Sequence, residues 1–345
     1  MNRRGINYDV GIVFSKEYMS RPALDLKIVQ RELQIIKDDL HCTAVRISGT
    51  EIDRLIAAAE IASALGLEVW LSPHLHDNSA EDTLRYMLEC GRRAEAVRQR
   101  WPGLILIIGC ELTLFMNGIL KGDTFIERIS NPLTMLKLKV AGSHNRPLNA
   151  FLTRAAAAVR EVFHGPITYA SAPIEEVNWA PFDFVCVDYY RGEKNRDTYA
   201  ARLRRHFAHD KPVIVTEVGC CAYRGAEDKG AMAWAILDSK DLTQLNGDYI
   251  RDEALQAREL RDMLGILQRE GVEGIFVFTF VAPALPHEAD ARRDRDLASY
   301  AIVKSYANGF GVTYPEMPWE PKAAFHAVAE IFSGDARSTT PAGDA

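Results

Sequence analysis

The sequence predicts an α/β protein with a single domain, a closed (β/α)8 (TIM) barrel with extended βα loops. Eight short apolar runs rich in β-branched residues alternate with amphipathic helical stretches almost from end to end, which is the pattern of repeated βα units on a parallel sheet. The length of 345 residues and the hydrophobic content of 48% fit one barrel of about 250 residues with insertions. An open doubly wound sheet is disfavoured because Gly309 and Gly311 follow no strand-like run and lack a third glycine.

The predicted elements follow one another in barrel order. The predicted strands are 5–8, 43–47, 67–71, 104–108, 166–169, 182–189, 212–216 and 274–279. The stretches between them carry apolar residues at helical spacing with charges on the other face. They predict helices at 25–40, 51–65, 81–100, 149–163, 198–208, 252–270 and 321–332. The loops after strands four, seven and eight are the longest and should shape a cleft. Residues 1–333 are assigned to the barrel, and the small polar residues 334–345 predict a disordered tail.

Composition narrows the classes of function. The chain has 41 basic and 47 acidic residues, a net charge of −6, and no basic run that would follow a phosphate backbone, so no nucleic-acid partner is expected. It has neither a secretory signal nor an apolar stretch of about 20 residues, which predicts a cytoplasmic protein without a membrane partner. Its six cysteines lack CxxC spacing, which argues against a disulfide framework and a structural zinc site. The oligomeric state stays open.

Two glutamates at strand ends are the main candidates for catalysis. Glu111 follows the fourth apolar run and Glu217 follows the seventh, and barrel enzymes build their active sites at the carboxyl ends of the strands. Cleaving an acetal requires one protonated carboxyl for the departing oxygen and one ionised carboxyl for the oxocarbenium-like carbon. Glu111 and Glu217 could divide these roles. Alternatively, both are ordinary solvated residues at strand ends.

Further polar and aromatic side chains at strand ends could contact a substrate. The candidates are Tyr8, Asp9, Arg46, His74, His76, Asp188, Tyr189 and Tyr190, with Trp179 as a stacking surface for a sugar ring. A buried Arg46 would need an anionic partner and would hold a neighbouring carboxylate in its charged form, which suits a nucleophile. A structural ion pair inside the barrel is the alternative for this residue.

Two other chemistries remain open at this stage. His74 and His76 lie two residues apart, a spacing that can place both on one face of a strand and ligate a metal. That would imply a metal-dependent hydrolase or sugar isomerase, although Pro73 suggests that the strand is ending there. The adjacent Cys220 and Cys221 could supply a nucleophile if a base lowered the pKa of one thiol.

Several segments at and around the predicted strand ends carry a family resemblance. They are VWLSPHLHDN, IIGCELTLF, FDFVCVDYY, PVIVTEVG, ALQARELRDML, VEGIFVFTF and WEPKAAFHAVA. They resemble the clan-A retaining glycoside hydrolases, most closely the branch that contains certain endo-β-mannanases. The resemblance implies that Glu111 is the acid/base, Glu217 the nucleophile and His74 a substrate contact. It also implies that Tyr189 or Tyr190 donates a hydrogen bond to the nucleophile. The chain departs from the family at Cys110, where most clan members have asparagine, and at the strand-eight aromatic, here Phe278 or Phe280 instead of tryptophan.

A second resemblance is to actinobacterial barrel proteins that carry the label "abortive infection protein". It rests on GINYD, LHCTAVRISG, GCELTLF and YPEMPWEPKAAFHA, and it implies a phage-defence context without stating a reaction. The leading expectation is a retaining glycoside hydrolase acting on a small glycoside, an oligosaccharide or a glycoconjugate, with no metal or organic cofactor. The alternatives are a ligand-binding or defence barrel without catalysis and the metal-dependent enzyme.

Overall fold

The computed structural model describes residues 2–131, 134, 138 and 142–334. Eight parallel strands form a closed barrel in which each strand pairs with the next along the chain and the eighth pairs with the first. The strands are β1 Arg3–Gly11, β2 Ala44–Gly49, β3 Glu68–Pro73, β4 Ile105–Cys110, β5 Ile167–Ser171, β6 Val185–Asp188, β7 Val213–Val218 and β8 Gly274–Val277. Each overlaps one predicted strand, so the predicted (β/α)8 barrel is confirmed.

Helices connect the strands on the outside of the barrel and in the longer loops. Within the described residues they are α1 Leu26–Asp38, α2 Ile52–Ala64, α3 Ala80–Arg100, α4 Leu112–Phe115, α5 Phe125–Ser130, α6 Asn145–Arg160, α7 Tyr199–Leu203, α8 Glu253–Arg269 and α9 Ala323–Ser333. The helices α1, α2, α3, α6, α8 and α9 overlap predicted helices. The short α4 and α5 were not predicted, because each buries too few side chains to produce a helical pattern.

The predicted helix at 198–208 needs correction. Only Tyr199–Leu203 is α-helical, and it lies between the 3-10 turns Arg196–Thr198 and Arg204–His209. Three arginines within residues 202–205 bring like charges together on neighbouring turns, which disfavours a longer helix. The segment ends at Asp210, whose φ of 52° is left-handed.

The connections after β4, β7 and β8 span 111–144, 219–252 and 278–322. They are the three long connections that the sequence predicted. The last of them contains an antiparallel pair, β9 Val303–Ser305 and β10 Trp319–Pro321, that was not predicted. In the predicted tail, Gly334 caps α9 with a φ of 85°, and residues 335–345 lie outside the described residues. None of the helices that the structure describes combines the length and apolar character of a membrane span.

Large side chains fill the barrel below its mouth. Trp70, Phe184 and Phe276 pack together inside the barrel, with Trp70 5.0 Å from Phe184 and 5.2 Å from Phe276 between ring centroids. A Cβ atom at Gly5 would lie 2.4 Å from the Phe276 ring, so a glycine at this place makes room for the aromatic layer. The interior is therefore packed at this level, and Glu111 and Glu217 lie beyond the aromatic layer, at the carboxyl ends of β4 and β7.

Candidate active site

Glu111 is presented at the mouth by an irregular end of β4. The register of β4 with β5 shifts between Ile107 and Cys110, where Gly109 has a φ of 127°. Glu111 itself is left-handed, with φ 46° and ψ 42°, and α4 begins at the next residue. A non-glycine residue in this region is uncommon and persists where its surroundings hold it. This irregular backbone therefore ends, at Glu111, the regular alternation of side chains between the two faces of the strand.

A buried carboxyl group holds the start of α4 in place. Glu175 Oε1 accepts from the backbone N–H of Thr113 at 3.0 Å, and its Oε2 accepts from the backbone N–H of Ala172 at 2.9 Å. The Tyr169 hydroxyl lies 2.9 Å from both Glu175 oxygens and 2.7 Å from the backbone nitrogen of Leu112, which donates to it. These contacts position the backbone that carries Glu111.

The Glu111 carboxyl lies in surroundings that favour its protonated form. Among the described residues no group donates a hydrogen bond to it. Burial, followed by the charges of Asp188, Glu217 and Glu175, raises the pKa of Glu111 well above its ordinary value. A carboxylic acid that keeps its proton at neutral pH can serve as a general acid.

Glu217 lies in the opposite kind of surroundings. Its Oε1 accepts from Arg46 Nη1 at 2.8 Å, and its Oε2 accepts from the Tyr190 hydroxyl at 2.7 Å. The register of β7 with β8 shifts between Val215 and Val218, so both Thr216 and Glu217 reach the polar centre of the barrel. A charge-assisted hydrogen bond and a phenol donor are contacts that stabilise a carboxylate.

Arg46 lies fully buried at the centre of this cluster. Besides Glu217, its Nη1 lies 3.7 Å from Asp188 Oδ1, and its Nη2 donates to Ser72 Oγ at 3.2 Å. The Cys110 thiol donates to Asp188 Oδ2 at 3.4 Å and lies 4.0 Å from Glu217 Oε1. Burial, followed by the charge of Asp188, raises the pKa of Cys110 well above its ordinary value, so this thiol stays protonated.

His74 and His76 follow the end of β3 and extend the polar cluster there. Ser72 Oγ lies 3.4 Å from His74 Nε2, and His74 Nδ1 lies 3.4 Å from His76 Nε2. His76 stacks on Phe115 with ring centroids 4.1 Å apart. Burial, followed by the charge of Arg128, lowers the pKa of His76 to about 3, and burial followed by His76 lowers that of His74, so both rings are neutral at pH 7. His74 is thus a neutral hydrogen-bonding group at the mouth.

The sequence leaves a metal site at His74 and His76 as an alternative. Within the described ranges, the grouping with metal-ligand geometry joins Cys110, Asp188 and Glu217, and neither histidine belongs to it. Arg46 already places a positive charge among these three side chains and would repel a metal ion. Cys220 and Cys221 are buried, and burial raises the pKa of Cys220 to about 12, which does not favour a thiolate nucleophile.

The structure brings some of the remaining predicted contacts to the mouth and leaves others outside. Asp9 is partly buried at the end of β1, where its Oδ1 accepts from the backbone N–H of Gly11 at 2.6 Å. Tyr8 points away from the barrel axis and contacts Glu32 of α1, because successive side chains of a strand face opposite sides. For the same reason Tyr189 faces outward, and its hydroxyl donates to the Tyr199 carbonyl at 2.6 Å.

Trp179 also lies away from the mouth. Its ring packs on Phe182, and its carbonyl accepts from Lys211 Nζ at 2.7 Å. Because Lys211 directly precedes β7, Trp179 lies towards the opposite end of the barrel. Phe278, which is partly buried, and Tyr300 instead pack beside Tyr190, with centroid separations of 6.3 and 5.3 Å from its ring. They form an aromatic wall on the Glu217 side.

Sequence reasoning missed three residues that shape the site. Thr216 donates from its hydroxyl to Asp188 Oδ1 at 2.7 Å, Ser72 links Arg46 to His74, and Glu175 anchors α4. The strand alternation could have indicated Ser72, because it lies two residues from both Trp70 and His74 on the inner face. Glu175 lies in an irregular polar stretch, where no periodic signal separates it from the exposed Glu176.

Comparison with known proteins supports the fold. No protein-family model matches the sequence, and no curated protein matches it. Among solved structures, the chain is similar to the GH113 β-mannanase AaManA from Alicyclobacillus acidocaldarius in complex with ManMIm, with 17% identity over 96% of this chain and 97% of that chain and a TM-score of 0.61. It is also similar to the β-glycosidase BGL167, with 11% identity, 99% and 98% coverage and a TM-score of 0.56.

A further similar structure is β-glucuronidase 2 from Bacteroides uniformis. The identity is 16%, the TM-score is 0.57, and the match covers 99% of this chain but 36% of the longer one. The predicted resemblance to barrels of clan-A glycoside hydrolases is therefore confirmed in structure, and at these identities the similarity establishes the fold alone.

Proposed function

We propose that this protein cleaves a glycosidic bond by a retaining, two-glutamate mechanism. The observation that carries the proposal is the contrast between the two carboxyl groups at the ends of β4 and β7. Glu111 has surroundings that favour a neutral acid, and Glu217 accepts hydrogen bonds from Arg46 and Tyr190, as an ionised carboxylate does. Two carboxyls with separated roles are what acid-assisted cleavage of an acetal requires.

In the first step, a Glu217 oxygen attacks the anomeric carbon while Glu111 gives its proton to the departing oxygen. The bond to the leaving group breaks, and a glycosyl ester forms on Glu217. In the second step, Glu111 accepts a proton from water, and the resulting hydroxide equivalent displaces Glu217 from the sugar. Retention requires the two carboxyls to lie roughly 5 to 5.5 Å apart in the reacting complex.

The proposed substrate is a small glycoside, an oligosaccharide or a glycoconjugate. Asp9 and His74 offer polar groups at the mouth, and Phe278 and Phe115 offer partly exposed ring surfaces on which apolar sugar faces can pack. Structural neighbours described as β-1,4-mannanase and β-glycosidase support a carbohydrate ligand. No metal or organic cofactor takes part in the proposed reaction.

The test is labelling by a panel of activated 2-deoxy-2-fluoro glycosides with dinitrophenyl leaving groups. The fluorine slows both steps, and the good leaving group restores the first, so a glycosyl-enzyme should accumulate. Intact mass should show one added sugar, and peptide mapping should place it on Glu217. The Glu217→Gln variant should not be labelled, whereas Glu111→Gln should still be labelled because the leaving group needs no acid. A folded protein that no sugar labels would overturn the proposal.

A second candidate function is ligand binding without cleavage, for example in a defence protein. Cys110 favours it, because its thiol contacts Asp188 and Glu217 in the place where the resembling family carries an amide. In that case Glu111→Gln and Glu217→Gln variants would both keep full biological activity. Loss of activity in either variant would favour cleavage.

A further inference from the structure

Two buried carboxyl groups share one buried guanidinium at the centre of the barrel. Arg46 Nη1 lies 2.8 Å from Glu217 Oε1 and 3.7 Å from Asp188 Oδ1. The side chains of Arg46 and Asp188 are 0% exposed and that of Glu217 is 13% exposed. A single positive charge balances one carboxylate, and a second buried carboxylate without a cation is strongly disfavoured. One of the two groups must therefore carry a proton near neutral pH.

The contacts indicate which group carries the proton. Glu217 has the shorter contact with Arg46 and a second donor in Tyr190. Within the part of the chain that the structure describes, the donors to Asp188 are the neutral hydroxyl of Thr216, at 2.7 Å, and the neutral thiol of Cys110, at 3.4 Å. A hydroxyl can reverse its role and accept a proton from a carboxylic acid, so Thr216 can pair with Asp188 in either state. Asp188 is thus the neutral member.

We propose that Asp188 is a reserve counter-ion for Arg46. Asp188 is neutral while Glu217 is ionised, and it becomes the anion that pairs with Arg46 when Glu217 loses its charge. This inference rests on the proposed function, because the glycosyl ester is the state that removes the charge of Glu217. When the ester forms, Glu217 loses its charge and Glu111 gains one by giving its proton to the leaving group. Arg46 forms an ion pair with Asp188 at 3.7 Å, whereas Glu217 and Arg46 are the main charges acting on Asp188. The Asp188 proton therefore passes to water in the cleft, and its carboxylate then balances the guanidinium. When water releases the sugar, Glu217 is ionised again and Asp188 takes up a proton. Asp188 is a positioning residue that need not touch the substrate.

The groups around Asp188 suit this exchange. The charged or titratable side chains that face it are Arg46 from β2, Cys110 and Glu111 from the β4 end, Cys186 from β6, Glu217 from β7, and Tyr190 after β6. Burial, followed by the charge of Glu217, raises the pKa of Asp188 to about 8, while Arg46 opposes this shift. Loss of the charge on Glu217 removes the larger of the two opposing charge effects, so Asp188 should then ionise at lower pH.

The test follows the carboxyl carbon of Asp188 by NMR in protein with 13C-labelled aspartate, between pH 5 and 9. The Asp188→Asn variant identifies the signal by its loss. In the native chain the signal should be that of a neutral acid at pH 6 and should titrate near pH 8. In the Glu217→Gln variant, which keeps an acceptor for Arg46 without the charge, the midpoint should fall by roughly 1 to 3 pH units.

The matched control is Glu111→Gln. As the proposed acid, Glu111 carries its proton in the resting site, so this change removes no charge, and the Asp188 midpoint should stay within a few tenths of a pH unit of the native value. An ionised Asp188 at pH 6 in the native chain would overturn the inference, and this measurement holds even if Glu217→Gln does not fold. Equal midpoints in native protein and folded Glu217→Gln would also overturn it. The NMR titration does not depend on turnover. A negative titration result would therefore overturn the role of Asp188 and not glycoside cleavage, whereas a negative labelling result would overturn cleavage and not the measured titration of Asp188.

Discussion

At the scale of single residues, Glu111 and Glu217 have the same side chain, and their surroundings assign them different chemistry. For Glu111 the cause is burial, followed by neighbouring acidic groups, which raise the pKa of its carboxyl well above the ordinary value. Glu111 lies among acidic neighbours, and no described residue donates a hydrogen bond to its carboxyl, whereas Glu217 pairs with Arg46. Exchanging the two roles would require moving the guanidinium to the other side of the cleft.

The Glu111→Gln variant should separate acid catalysis from nucleophilic attack. For glycosides with poor leaving groups we expect turnover to fall by about 10²- to 10⁴-fold, the range for removal of a general acid. Dinitrophenyl glycosides of the same sugar should form the glycosyl-enzyme at nearly the native rate. Steady-state and pre-steady-state rates on both substrate types would measure the difference, and an equal loss on both would argue against an acid role.

The pH profile gives an independent check on Glu111. Because its pKa is raised and the acid is the protonated form, cleavage of poor leaving groups should persist at neutral pH and fall as the pH rises through that pKa. The Glu111→Gln profile should lack this alkaline loss. A variant profile that keeps the same alkaline limb would assign that limb to another group, such as Asp188.

The protonation of Asp188 should also make the free energy of unfolding depend on pH. Its pKa is about 8 in the folded chain against an ordinary value of 3.8, so between these values the folded state holds a proton that the unfolded state has released. The free energy of unfolding should therefore fall as the pH rises through this window, by roughly 1.4 kcal/mol for each pH unit from this group. Asp188→Asn should lack that slope in urea unfolding from pH 4.5 to 7.5. The exposed Asp197→Asn is the matched control, and a constant difference between native protein and Asp188→Asn would contradict the prediction.

At the scale of elements, the end of β4 and the start of α4 form one unit that depends on Glu175. Both of its oxygens accept backbone N–H groups, from Thr113 and Ala172. The apolar periodicity of 104–108 predicted the strand, but it did not indicate that the register shifts after Ile107 or that Glu111 is left-handed. Such irregularities depend on contacts with β5 and the loop that follows it, which are distant in sequence.

Glu175→Gln should destabilise the fold and make the position of Glu111, the proposed acid/base, less well defined. The amide has one acceptor oxygen where the carboxylate offers two, so one buried N–H loses its partner at a cost of roughly 1 to 3 kcal/mol. Urea unfolding would measure the loss, and the rate of labelling on Glu217 should change much less than turnover of poor leaving groups. The neighbouring exposed Glu176→Gln is the matched control. Equal stability of the two variants would show that the Glu175 contacts do not hold α4.

At the scale of the whole molecule, the order of the elements could be predicted and the direction of individual side chains could not. Eight apolar runs and the helices between them gave the barrel, and the placement of Glu111 and Glu217 at strand ends followed from it. Tyr8 and Tyr189 face outward because successive side chains of a strand point to opposite sides, and the apolar runs did not indicate which residues face the barrel axis. The pairing of Asp188 with Arg46 joins strands that are not neighbours, so no local pattern could indicate it.

A buried network of ion pairs joins the loop after β8 to the residues just before α8 and α9. Asp296 in the loop after β8 lies 2.8 Å from Lys322, just before α9, and 2.8 Å from Arg251, just before α8. Asp296 and Lys322 are 0% exposed. The network thus connects the last two long loops to the last two helices, which pack against each other.

Asp296→Ala should therefore affect the stability of the entire domain. It would leave Lys322 buried without its anionic partner and weaken the contacts of Arg251, at a cost of roughly 3 to 5 kcal/mol. Asp248→Ala is the matched control, because Asp248 pairs with Arg292 at 3.6 Å but its side chain is 95% exposed, and surface pairs contribute little. Because β8 must stay paired with β1 for the barrel to close, the loss should appear as a lower midpoint of one cooperative urea transition. A separate early transition in Asp296→Ala, with the main one unchanged, would instead show that the last loops and helices unfold independently of the barrel.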